Sequence, residues 1–196
     1  MTPRARQSHI FDRETHDHYV EEPWCSKRLF DVEPFVGTIV DPACGWGTIV
    51  TEALSAGYCA AGSDLVHRGW DSTQTPSDFL ASTIVFDNIV TNPPFDISEE
   101  FITHAVAHAR RTVAAIYPVR RLPAAGRWLS RLPLARIWLL TPRPSMPTGD
   151  YIKAGGKVGG GKQDFCWLVF DHDHEGPTVV LWLHRDGTSG PLKGVL

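Results

Sequence analysis

The chain alternates between short apolar runs and stretches whose apolar residues recur at helical spacing. The run 38–41 (TIVD) reads as a first strand. Over 47–56, Ile49, Val50, Ala53 and Leu54 share one helical face, and Gly57 sits where a helix C-cap glycine belongs. A second strand is expected over 59–65, ending near Asp64. The stretch 66–82 is irregular, with room for a short third strand at 77–80. The run 87–91 is a fourth strand. Asp96 and Glu99 then form the pattern of a capping box, ahead of a helix marked by Ile97, Phe101, Ile102, Ala105, Val106 and Ala109. Further strands are expected over 112–119, 136–141, 164–170 and 178–183, with a short helix within 121–132 started or broken by Pro123.

Alternating strands and helices predict an α/β protein with a mostly parallel sheet covered on both faces. The last strands are not separated by helices, so they are expected to pair antiparallel at one edge. The length of 196 residues suits one domain, taken as 19–196, after a solvated and flexible arm over 1–18. The three histidines of that arm, His9, His16 and His18, have no cysteine or second histidine cluster beside them to complete a metal site, and no metal is expected. No apolar run reaches the ~18 residues needed to span a bilayer. The first 23 residues lack the apolar core of a secretory signal. Cys25, Cys44, Cys59 and Cys166 form no CxxC pair, and read as small buried residues in a reducing setting.

The net charge is −3, but it is unevenly spread. From Phe101 to Gly149 there is no Asp or Glu, and there are eight arginines: Arg110, Arg111, Arg120, Arg121, Arg127, Arg131, Arg136 and Arg143. The remainder is therefore −11. A segment of +8 in an acidic chain points to one face built for polyanions; the alternative is an arginine-rich surface with no partner. The loop 142–163 is long for a compact domain and carries Lys157 and Lys162 among five glycines over 155–161. It is either a phosphate-holding element or a mobile connection.

Two strand-end motifs carry the chemistry. Asp41-Pro42-Ala43-Cys44-Gly45-Trp46-Gly47-Thr48 joins the first strand to the first helix. Its glycines let backbone approach a ligand, and its helix N-terminus suits a carboxylate or a phosphate. Asp64, at the end of the second strand, is placed to accept hydrogen bonds from ribose hydroxyls. Asp78 beside Phe79 is a lesser candidate for an adenine amino group. This logic fits both NAD and S-adenosylmethionine. The dinucleotide pattern requires a third glycine where Val50 stands, which disfavours NAD. Asp41 favours a ligand bearing an ammonium group.

Asn92-Pro93-Pro94-Phe95 follows the strand 87–91. Pro93 forces Asn92 into extended backbone, and the two prolines remove two N–H donors. The Asn92 amide oxygen and the Pro93 carbonyl remain as acceptors for the two N–H bonds of an amino group. Phe95 offers a face for a planar base. The plain alternative is a rigid strand-to-helix turn.

With both motifs in place, the chain resembles the class I S-adenosylmethionine-dependent DNA N6-adenine methyltransferases, most of all the short phage- or prophage-type members. Tyr19-Val20-Glu21-Glu22-Pro23-Trp24 resembles the family element that packs over the methionine end of the cofactor. Pro142-Arg143-Pro144 and the stretch 161–167 resemble its closing strands. Trp46 departs from the small residue usual between the two glycines. The resemblance implies a Rossmann-like three-layer sandwich with a seven-stranded sheet, a reversed last strand and transfer to a flipped adenine. It implies Asn92, Pro93, Pro94 and Phe95 as catalytic residues. The cofactor residues it implies are Tyr19, Glu22, Pro23, Asp41, Pro42, Ala43, Gly45, Gly47, Thr48, Asp64, Leu65, Asp78 and Phe79. Candidate DNA contacts are Arg120, Arg121, Arg143, Lys157 and Lys162, and the setting is the cytoplasm of a bacterium or of a phage-infected host. Cytosine N4, an RNA base or a protein glutamine are alternative amine targets. A non-catalytic scaffold with the same fold is the alternative of another class.

Overall fold

The computed structural model describes residues 18–70 and 76–188. The arm expected over 1–18, with His9 and His16, lies outside the described residues except for His18. A seven-stranded sheet runs in the order β2-β1-β3-β4-β6-β5-β7. Its strands are β1 (Ile39–Asp41), β2 (Ala60–Gly62), β3 (Phe86–Thr91), β4 (Ala109–Pro118), β5 (Leu134–Thr141), β6 (Phe165–Asp171) and β7 (Val179–His184). The helices are α1 (Pro23–Val32), α2 (Thr48–Ser55), α3 (Ser98–Ala107), α4 (Leu122–Leu129) and α5 (Gly149–Lys153).

The side-chain period of two splits the central strands between two cores. On one face Ala114, Ile116, Trp167 and Val169 pack with Leu29 of α1 and Ile49 of α2. On the other Val113, Ala115, Tyr117, Leu168 and Phe170 pack with Phe101 and Ile102 of α3 and Trp128 of α4. Covered on both faces, β6 is apolar from Phe165 to Phe170 without alternation.

The mostly parallel sheet with an antiparallel side follows the sequence reading, but the reversed strand is not the last one. β6 is the reversed strand, inserted between β4 and β5 and antiparallel to both. With both of its edges occupied, β6 leaves β7 to pair on the far side of β5, in parallel.

Other expectations are corrected. The short third strand is a single bridge, Asp64 to Pro76, followed by a 3-10 turn over Phe79–Ala81 that the Asp78 carboxylate caps through the Leu80 N–H at 3.0 Å. Asp96 caps nothing. A 3-10 turn over Phe95–Ile97 precedes α3, whose Ile97 N-cap has no side-chain bond. Cys59 is exposed because it lies just outside the edge strand β2, whereas Cys25, Cys44 and Cys166 are buried. Helix α1, started by Pro23, and the short α5 inside the 142–163 loop were not legible in the sequence. Among the described residues no helix is long and apolar enough to cross a membrane.

Candidate active site

β1 and β3 are neighbouring parallel strands, so both motifs emerge at one end of the sheet. There they border a cavity of about 310 Å³. Parallel sheets place their ligand clefts at this carboxyl end, and the volume suits a small-molecule ligand. Asp41, Pro42, Ala43, Gly45 and Thr48 line it from the first motif, and Asp64, Leu65, Asp78 and Phe79 from the β2 side. Tyr19 comes from the N-terminal segment, Asn92 and Pro94 from the second motif.

Three expected cofactor residues stand elsewhere. Glu22 is turned aside, its Oε2 accepting from Trp24 Nε1 at 3.2 Å and from the Ser145 N–H at 2.8 Å. Pro23 is the first residue of α1. Gly47 is the left-handed N-cap of α2, at φ +74°, and a Cβ there would lie 2.0 Å from the Trp70 ring. Gly45 is likewise approached from its own chain, since a Cβ would meet His18 Nε2 at 2.6 Å. The side-chain room these glycines leave is filled by Trp70 and His18, while Gly45 still borders the cavity.

Asp64 is buried, and it ties the glycine loop to the end of β2. Its carboxylate accepts from the Gly45 N–H at 2.9 Å and the Val66 N–H at 3.0 Å, with the Arg68 guanidinium 3.5 Å away. A carboxylate has about four acceptor positions, so these bonds leave capacity for a ribose.

The sequence places His18 in a solvated arm. It is buried instead, against Trp46 in an edge-on contact at 5.2 Å. The chain from His18 to Glu22 runs beside 145–149, joined by Val20 N–H to the Pro147 carbonyl at 2.9 Å and Gly149 N–H to the His18 carbonyl at 3.1 Å. Burial, with Arg68 nearby, pushes the His18 imidazole down to about 4, so it is neutral at pH 7.

Asn92 is held by its nitrogen. Nδ2 donates to the Tyr19 carbonyl at 3.0 Å and to Glu21 Oε2 at 2.9 Å. Both amide protons are therefore engaged, and the opposite atom, Oδ1, is buried and accepts no hydrogen bond among the described residues. Glu21 is buried, which raises its carboxyl above the ordinary range despite the Asn92 bond. Asp41 is also buried. Loss of water pushes it well above its ordinary range, and the nearby Glu21 and Asp64 charges add to the shift. Pro93 is buried and does not line the cavity. The Phe95 ring packs on Tyr19 at 5.3 Å and on Phe165 at 5.7 Å, so the turn presents it to the chain's own aromatics.

The eight arginines do not form one face. Arg110 and Arg111 start β4, and Arg136 starts β5, where its guanidinium forks onto buried Glu33 at 2.6 and 2.8 Å. Arg120 and Arg121 follow the other end of β4, about 30 Å away at ~3.3 Å per residue. Arg143 follows β5 at that same end, paired with Asp164 at 2.7 Å with both side chains more than half exposed. Lys157 and Lys162 precede β6, which runs backwards, so they too reach the cavity end, and both are exposed. Arg121 turns inward, donating to the Phe95 carbonyl with Asp96 at 3.8 Å.

The sequence assigns no site role to His18, Glu21, Trp46 or Arg68, which also line the cavity. Glu21 stands inside the motif from Tyr19 to Trp24, but burial of a carboxylate leaves no trace in residue order.

No family model and no curated protein matches this chain. Solved structures do. The type I restriction-modification methyltransferase subunit of Streptococcus thermophilus superposes with a TM-score of 0.58 at 11% identity, covering 86% of this chain and 48% of that one. A candidate RNA methyltransferase from Pyrococcus horikoshii gives 0.54 at 15%, covering 76% and 81%. A TehB-like S-adenosylmethionine-dependent methyltransferase from Corynebacterium glutamicum gives 0.51 at 15%, covering 75% and 86%. This chain spans about half the length of the restriction-modification subunit. At such identities the likeness establishes the fold: the chain has the Rossmann-like α/β fold that these methyltransferases share.

Proposed function

We propose that the protein is an S-adenosylmethionine-dependent methyltransferase acting on the exocyclic N6 amine of adenine in DNA. The observation that carries this reading is the Asn92 amide. Its nitrogen is fixed by two acceptors, which leaves the carbonyl oxygen buried and unpaired on a residue that lines the cavity. A buried acceptor without a partner is costly unless a ligand supplies the donor. An amino group of a flipped base is such a donor.

The cavity lining supports the cofactor. Glu21, Asp41 and Asp64 line it against a single arginine, Arg68, with His18 neutral. Such a wall repels the pyrophosphate of a dinucleotide and suits a ligand with ammonium and sulfonium charges. S-adenosylmethionine supplies an electrophilic methyl group. Asn92 Oδ1 accepts an N–H of the target amine and turns the nitrogen lone pair away from itself. Asp64 and Asp78 offer acceptors to ribose and adenine. Positioning and fixed dipoles do most of this work, and no strong base is needed at the outset. Exposed Arg120, Lys157 and Lys162, at the same end of the sheet, suit a phosphate backbone.

The test is methyl transfer from labelled S-adenosylmethionine to duplex DNA, single-stranded DNA and RNA, followed by nucleoside mass spectrometry. N6-methyladenine in DNA is the expected product. Asn92→Ala should abolish it and leave cofactor binding intact. Label in RNA, in cytosine or in glutamine would move the assignment to that amine. Cofactor binding without transfer to any of these would make the chain a scaffold.

A further inference from the structure

The Asn92 side chain has two orientations related by a flip of its amide, and they exchange Nδ2 and Oδ1 between the side that meets Tyr19 and Glu21 and the opposite, unpaired side. Two groups choose between them, the Tyr19 carbonyl and Glu21 Oε2, at 3.0 and 2.9 Å from Nδ2. Both can only accept when Glu21 is ionised, so both demand the nitrogen. The flipped amide would set Oδ1 against a carbonyl and a carboxylate, and would aim N–H donors at the incoming amine. Tyr19 is itself placed by its bridge to Thr148, and Glu21 is only 7% exposed, so neither is free to turn to solvent.

We propose that Glu21 is a positioning residue for catalysis, holding Asn92 with its amide oxygen toward the target amine. This rests on the function proposed above. Glu21 lies on a separate segment, 71 residues before Asn92, so the catalytic turn is incomplete without the N-terminal segment. The carboxylate also polarises the amide through its N–H, making Oδ1 a stronger acceptor.

Two neutral substitutions isolate the role. Glu21→Gln keeps an acceptor for Nδ2, and Glu21→Met keeps the volume without one. Both remove the same charge, so both weaken attraction for a cationic cofactor alike, and their difference reads the acceptor alone. Removing a buried charge leaves no unpaired ion, so both are expected to fold. At saturating S-adenosylmethionine, Glu21→Met should lower kcat by about 10–100-fold, on the scale of losing a group that orients a metal ligand, and Glu21→Gln should recover most of it.

The Asn92 side-chain amide provides a second readout in 15N-labelled protein. The N–H that meets Glu21 should be exchange-protected in the wild type and in Glu21→Gln, and unprotected in Glu21→Met, while the N–H on the Tyr19 carbonyl keeps an acceptor in all three. Equal kcat in the two variants, or an unprotected Asn92 amide in the wild type, would overturn the proposal. If the wild type methylates no base, the function proposed above fails on its own, and the amide signals still decide whether Glu21 sets the orientation of Asn92.

Discussion

The Arg121 guanidinium donates to the carbonyl oxygen of Phe95, the last residue of the Asn-Pro-Pro-Phe turn. Arg120, its neighbour in sequence, is exposed. The two arginines are therefore expected to separate by salt dependence. Arg120→Ala should lower the slope of log affinity for duplex DNA against log salt by about 0.9, the value of one phosphate contact. Arg121→Ala should leave that slope unchanged and lower kcat by about tenfold or more, through loss of turn geometry. A reduced salt slope for Arg121→Ala would return that residue to the DNA-binding set.

Gly149 is the floor beneath His18. A Cβ there would lie 2.4 Å from His18 Nδ1 and 3.3 Å from the Trp46 ring. Gly149→Ala must displace the imidazole, and with it the segment that carries Tyr19 and Glu21. We expect a loss of about 1–3 kcal/mol, typical of overpacking a filled site, visible as a lowered midpoint in thermal denaturation. An unchanged midpoint would mean that His18 has room the structure does not show.

His18 sets an acid limit. Its folded value of about 4 lies below the ordinary 6.5, so between these pH values the unfolded chain binds more protons than the fold. Stability therefore rises with pH through this window, and is lost as pH falls from 6.5 toward 4, by at most about 3 kcal/mol from this group. Denaturant unfolding of wild type and His18→Gln at pH 7 and pH 4.5 checks it. The variant should show the smaller drop.

Asp41 gives the opposite slope. Its folded value lies well above the ordinary 3.8, so above pH 3.8 the fold holds a proton that the unfolded chain releases, and stability falls as pH rises toward the folded value. Glu21 acts in the same direction from its ordinary 4.5. Asp41→Asn should flatten this decline and raise the stability of the ligand-free protein at neutral pH. It should also weaken binding of S-adenosylmethionine in calorimetry, because a carboxyl that can ionise against the bound cation is gone. Tighter binding by the variant would remove Asp41 from the cofactor site.

The sequence by itself determined the α/β alternation, the strands of the core and both strand-end motifs. Apolar period and the stiffness of Pro93-Pro94 are local properties, and they survive folding. Asp41 and Asn92 both border the cavity as strand-end residues, a placement that follows from local position in the chain. The capping box at Asp96 failed because the two prolines extend the turn, so that Phe95–Ile97 winds as a 3-10 turn before α3 begins. The third strand failed because Asp64 and Pro76 meet at one bridge only. Tertiary structure alone decided that the arginines divide between two ends of the sheet, that His18 and Trp70 fill the space beside the glycines, and that Glu21 meets Asn92 across 71 residues. These are relations between distant segments. They depend on strand order and on which carboxylates lose their water, and neither is encoded in any window of adjacent residues.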